Sequence, residues 1–265
     1  MKKMTKELAN VASEESLTLL KSEFPAQLGF TRVLLPRISF LSQDQVEGKG
    51  KSMKVTAEAG LFFTEHETKE VDENNKFVWN KEEIGKSLEG IIFFQRKQLK
   101  YYDSASEKYT SSPAYDNDNE VVPLFLDKKE IDRGIPAELQ KKYPGLTAGG
   151  KPTSKLEVNT ILYVLHKDEA YQVNLRGTSM YSYIKYARSV VPPSVVTKFC
   201  SEPQEKGTTA WNMMTFSVVR PITQDEVKVI LEKIKEVKNS IMAEKEFYAS
   251  KIVAETKADD DFNKA

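Results

Sequence analysis

Two stretches of this sequence interleave aromatic rings with cations. The first is FFQRKQLKYY, residues 93–102, and the second is NLRGTSMYSYIKYAR, residues 174–188. An unpaired nucleobase needs a flat ring to stack on, and its phosphate needs lysine or arginine; each stacked base contributes ~1–3 kcal/mol. On a strand, Phe94, Arg96, Gln98, Lys100 and Tyr102 point one way, and Phe93, Gln95, Lys97, Leu99 and Tyr101 the other. Cations on both faces imply a strand that leaves the core toward its C-terminal end. On a helix, Tyr181, Lys185 and Arg188 share one face, and Met180, Ile184 and Ala187 the face beside it. Taken singly, each residue reads equally well as core packing with a charged end. Taken together, Arg96, Lys97, Lys100, Tyr101, Tyr102, Arg176, Tyr181, Lys185, Tyr186 and Arg188 are the expected lining of a groove for single-stranded nucleic acid.

The charge pattern is compatible with such a groove. Lysine plus arginine and aspartate plus glutamate number 39 each, which argues against coating nucleic acid by net charge alone. The charges are unevenly placed, however: residues 151–221 hold nine cations against five acids, and residues 64–90 hold eight acids against four lysines.

Signals for catalysis or metal binding are weak. GLTAGGK at 145–151 matches the first seven positions of a phosphate-binding loop, but Pro152 stands where a magnesium-holding hydroxyl is required. Neither flank reads as the strand and helix that such a loop joins, so a turn is the better account. His66 and His166 lie far apart in sequence and Cys200 is the single cysteine, which disfavours a Cys/His zinc site. Cys200 reads as a small core residue. Asp116, Asp118 and Glu120 alternate, but they lack the glycine and terminal glutamate of a calcium loop. The expectation is a protein that is not an enzyme, with no catalytic residue, metal or cofactor.

The elements that would position these residues are mostly strands. From about residue 30 to 221, runs such as VLLPRISFL, GIIFFQRKQLKYYD, TILYVLH and TAWNMMTFSVVR are rich in β-branched and aromatic residues and are separated by glycine, asparagine and proline. Pro36 suits a strand start, Pro136 the first turn of a short helix, and 177–190 a longer helix. Thr223 and Glu226 form a capping box ahead of Val227, Ile230, Ile234, Val237 and Ile241, which predicts an amphipathic helix reaching to about residue 255. The expected organisation is an N-terminal helical segment (1–29), a β-rich core (30–222), a C-terminal amphipathic helix (223–256) and an acidic tail (257–265). One cysteine favours a reducing compartment, so a cytoplasmic location is expected, and no apolar run approaches the ~20 residues of a membrane span.

The strand-rich core, the LEGIIFFQRKQLKYYD strand, the NLRGTSMYSYIKYAR segment and the DDDF tail together resemble bacteriophage-type single-stranded DNA-binding proteins. The resemblance implies an α+β fold: an OB-like β-barrel with helical insertions and a long C-terminal helix. It implies a protein that coats exposed strands in replication or recombination, with RNA not excluded as ligand. Asp259, Asp260, Asp261 and Phe262 would then be a tail that docks to replication or recombination proteins. The alternative is a viral structural or assembly protein that forms homo-oligomers through its C-terminal helix.

Overall fold

The computed structural model describes residues 35–47, 54–71, 77–103, 106, 108–126, 129–146, 150 and 152–239. The N-terminal helical segment, the far half of the C-terminal helix and the acidic tail lie outside these residues. The fold is α+β and rich in strand. In chain order the strands are β1 (Arg37–Phe40), β2 (Gln45–Glu47), β3 (Lys54–Ala57), β4 (Phe62–Val71), β5 (Phe77–Gly85), β6 (Ser87–Asp103), β7 (Lys108–Tyr115), β8 (Val122–Leu126) and β9 (Lys129–Gly134). After helix α1 (Pro136–Lys142) come β10 (Pro144–Leu146), β11 (Pro152–Ser154), β12 (Glu157–His166) and β13 (Glu169–Leu175). Helix α2 (Gly177–Ser189) then leads to β14 (Val195–Lys206) and β15 (Thr209–Pro221), and a final helix, α3, covers residues 224–239.

The span 30–222, expected as one core, contributes to two compact units. One draws on Leu34–Gln95 and Asn159–Glu232, the other on Arg96–Val158 and the chain from Lys233. Strand β6 therefore gives its first half to one unit and its second half to the other.

In the first unit the strands follow the order β5-β4-β1-β13-β12-β6, with β14 and then β15 paired beyond β6. The β1–β13 pair is parallel, with Ile38 opposite Val173, whereas β1–β4, β4–β5, β12–β13, β6–β14 and β14–β15 are antiparallel. Gly90 lets β6 approach β12 closely, because a Cβ there would stand 2.6 Å from Val164 Cγ1 and 2.9 Å from the Leu165 carbonyl oxygen. No ladder joins β5 to β15 among the described residues, so the expected barrel is not closed. The Asn212 amide nevertheless donates to the Ser42 carbonyl at 2.7 Å, linking β15 to the chain just after β1. Ile38, Phe62, Leu88, Ile92, Leu162, Val164, Val173 and Phe199 form the centre of this unit's core.

Helix α2 packs on β15 and turns Met180, Tyr183, Tyr186, Ala187 and Val190 toward that core. This corrects the expected inner face: Ile184 is exposed and the two tyrosines are buried. Burying a tyrosine is favourable when its hydroxyl finds a partner. Tyr183 donates to Gln95 Oε1 at 2.8 Å, and Tyr186 shares a 2.7 Å hydrogen bond with Thr197. Both rings also pack on Phe216. Burial raises the pKa of both phenols.

The second unit carries the β6 end with β7, β8 and β9 as an antiparallel meander around Leu99, Tyr115, Val122, Leu124, Leu139 and Leu156. The glycine-rich loop considered above is flanked by β10 and β11, which pair antiparallel with Gly145 opposite Thr153. A hairpin stands where a nucleotide loop would need a strand and a helix.

The capping box forms as expected. The Thr223 amide donates to Glu226 Oε2 at 2.7 Å, and the Glu226 amide donates to Thr223 Oγ1 at 3.3 Å. Val227, Ile230, Ile234 and Val237 of α3 are buried. No helix among the described residues is long and apolar enough to cross a membrane.

Candidate nucleic-acid interface

The expected lining divides between the units. Arg96, Lys97, Lys100, Tyr101 and Tyr102 belong to the second; Arg176, Tyr181, Lys185, Tyr186 and Arg188 belong to the first.

Two of these residues are interior. The Arg96 side chain is 0% exposed and pairs with Asp116, itself 3% exposed, through a 2.9 Å Nε–Oδ1 contact. Its Nη2 also donates to the Ala114 carbonyl at 2.6 Å. A guanidinium so enclosed holds the start of β6's outer half against the end of β7, and it cannot reach a phosphate. Tyr186 is buried by the helix period described above. Both expectations of groove lining are corrected. The acidic run has a structural use too: Asp116 takes Arg96, and Asp118 takes Lys97 at 2.6 Å.

The end of the β6–β7 hairpin is different. Tyr102 and Tyr109 are cross-strand partners. The two residues are 47% and 49% exposed. The ring centroids lie 4.6 Å apart at an interplanar angle of 40°. Lys100, two residues before Tyr102 on the same face of β6, holds its Nζ 4.4 Å from the Tyr109 ring centroid. Tyr101 points the opposite way and leans on the second unit's core, with Lys155 Nζ 5.8 Å from its ring centroid. One face of the hairpin is thus anchored by Leu99 and Tyr101, while the other presents two phenol rings and an ammonium.

Tyr109 was not among the expected lining residues. The signal was available, because a turn after YYD returns the chain so that a tyrosine early in KYTSSPAY falls opposite Tyr102.

On α2, Tyr181 is 68% exposed, and Arg176, Lys185 and Arg188 are exposed as well. These four residues are therefore accessible, but in the other unit.

The two histidines flank one ring. His66 and His166 meet Tyr171 edge-on, with ring centroids 5.8 Å and 6.1 Å away. His166 Nδ1 donates to the Glu89 carbonyl at 2.7 Å, and the Tyr171 hydroxyl donates to Glu169 at 2.8 Å. Burial and then the Glu169 hydrogen bond push the Tyr171 pKa well up. No group of three or more His, Cys, Asp or Glu among the described residues is placed to hold a metal ion.

Comparison with protein-family models, with curated proteins and with solved structures gave no match for this chain.

Proposed function

We propose that this chain binds single-stranded nucleic acid, DNA in the first instance, and that the exposed face of the β6–β7 hairpin is where it does so. The observation that carries the reading is the Tyr102–Tyr109 pair beside Lys100. Two aromatic side chains held half in water lose apolar contact that a core would have given them, and a nucleobase restores it. A lysine beside them supplies the charge that the following phosphate requires. In this role the protein coats exposed strands in replication or recombination without catalysis.

The first unit lends support of a coarser kind. A strand path with one parallel pair, a helix between two of its strands and a hydrogen bond from β15 to the chain just after β1 are features that an OB-like barrel, opened along one seam, would present. Continuation of α3 toward residue 256 and a partner-docking role for Asp259, Asp260, Asp261 and Phe262 belong to the same proposal.

The test is fluorescence anisotropy with a labelled oligonucleotide at two salt concentrations. Tyr102→Ala combined with Tyr109→Ala should weaken binding by roughly 10- to 100-fold, as expected for losing one stacked base. Lys100→Ala should weaken it less and flatten its dependence on salt. Tyr186→Phe, which touches only the core of the first unit, should leave affinity unchanged. Absence of any binding by the native chain at low salt ends the reading.

A further inference from the structure

The outer face of α2 carries exposed apolar side chains beside its cations. Tyr181 and Ile184 are exposed on it, and Val191 is exposed just beyond its end. The two aliphatic side chains offer neither a ring to a base nor a charge to a phosphate. Around them stand Arg176, Lys185 and Arg188, all exposed, and residues 177–189 contain no acid. None of the three cations pairs with a carboxylate among the described residues. An apolar stripe rimmed by charges of one sign is the anatomy of a protein-docking surface, and the partner it fits is acidic.

The same unit carries a surface of the opposite kind. Among the described residues β5 pairs with β4 alone and forms one end of the strand path. Its lysine and the one that follows the strand are already answered, Lys81 by Glu65 at 2.8 Å and Lys86 by Glu58 at 3.5 Å. Glu82 and Glu83 are exposed, in no ion pair among the described residues, and therefore surplus. Edge strands with unanswered backbone groups are places where another chain can settle.

We propose that α2 of one molecule docks on the β5 edge of a second copy of this chain, with Lys185 and Arg188 meeting Glu82 and Glu83 around the Tyr181–Ile184 stripe. The contact joins two different patches of one surface, so each molecule has one of each to offer. It uses no residue of the β6–β7 hairpin and stands or falls separately from the nucleic-acid reading.

The experiment is sedimentation velocity on the full chain at low and high salt. The native chain should self-associate at low salt and dissociate as salt rises. Lys185→Glu with Arg188→Glu, and separately Glu82→Lys with Glu83→Lys, should each weaken self-association by about a hundredfold or more, because like charges then face each other. All four positions are exposed, and unchanged circular dichroism and urea midpoints check that the variants fold. An equimolar mixture of the two variants should associate again, since the intact α2 of one meets the intact edge of the other. A native chain that stays monomeric at low salt overturns the proposal, as does a mixture that fails to associate. So does a Lys185/Arg188 variant that associates normally but loses oligonucleotide binding, which would assign α2 to nucleic acid.

Discussion

Arg96 is a cation whose position in a run of cations says nothing about its task. The adjacent cation, Lys97, reaches the surface, while Arg96 is enclosed with Asp116. Taking both charges out of water is costly, and the hydrogen bonds to Asp116 and Ala114 are what offset that cost. Removing one partner leaves the other buried without its counter-charge. Arg96→Ala is therefore expected to destabilise the protein by about 3–5 kcal/mol, read as a shift of the urea midpoint. Lys97→Ala, whose partner Asp118 is exposed, should change stability by less than about 1 kcal/mol. Equal effects of the two substitutions would show that the buried pair has no special weight. Tyr183 and Tyr186 make the same point for aromatics: their hydroxyls are answered inside the first unit, so their rings are not available to a ligand.

At the scale of elements, the start of α3 couples charge to folding. Glu226 accepts from the Thr223 amide and, through both carboxylate oxygens, from Arg220 on β15 at 2.9 Å and 2.7 Å. The Arg220 hydrogen bonds, outweighing desolvation, hold the Glu226 pKa below its ordinary value. A depressed carboxylate pKa means that the folded state prefers the charged form. The stabilisation is then complete above the unfolded pKa, roughly 4.3, and is lost as pH falls through the lower folded value. Glu226→Gln should lower stability at neutral pH and flatten the acid side of the stability profile, which urea unfolding between pH 3 and 7 would reveal. An unchanged acid limb would mean that the pair contributes nothing. The β12–β13 connection is an element whose shape outweighs its residues. Lys167 and Asp168 both take positive φ, 49° and 64°, in a two-residue turn that usually carries asparagine and glycine. The long antiparallel pairing from Thr160–Leu175 to His166–Glu169 sets that geometry.

For the whole molecule, equal numbers of cations and acids mean that no general field draws a polyanion in. Affinity for a single strand must come from local contacts. On the face that carries Tyr102 and Tyr109, Lys100 is the lysine beside the rings, so about one phosphate is neutralised there. The expected slope of log affinity against log salt is then roughly −0.7. A slope several times steeper in an oligonucleotide titration would point to a broader basic surface than the hairpin. The buried stripe of α3 also bears on assembly. Val227, Ile230, Ile234 and Val237 are covered within the chain itself, so over its described length this helix has no free apolar seam for a coiled coil.

Much of the architecture follows from local pattern. The β-branched and aromatic runs, the prolines at the starts of β1 and α1, and the capping box of α3 are each set by the backbone preferences of a few neighbouring residues, which a sequence displays directly. The fate of the individual site residues was not local. Whether Arg96 is a phosphate ligand or a buried strut depends on Asp116, twenty residues away, and whether Tyr186 stacks or packs depends on Thr197. Tyr102 and Tyr109 become one surface only when a hairpin brings them opposite each other. Periodicity tells which residues share a face, but only the partners brought up by the rest of the chain decide whether that face meets a core, a counter-charge or water.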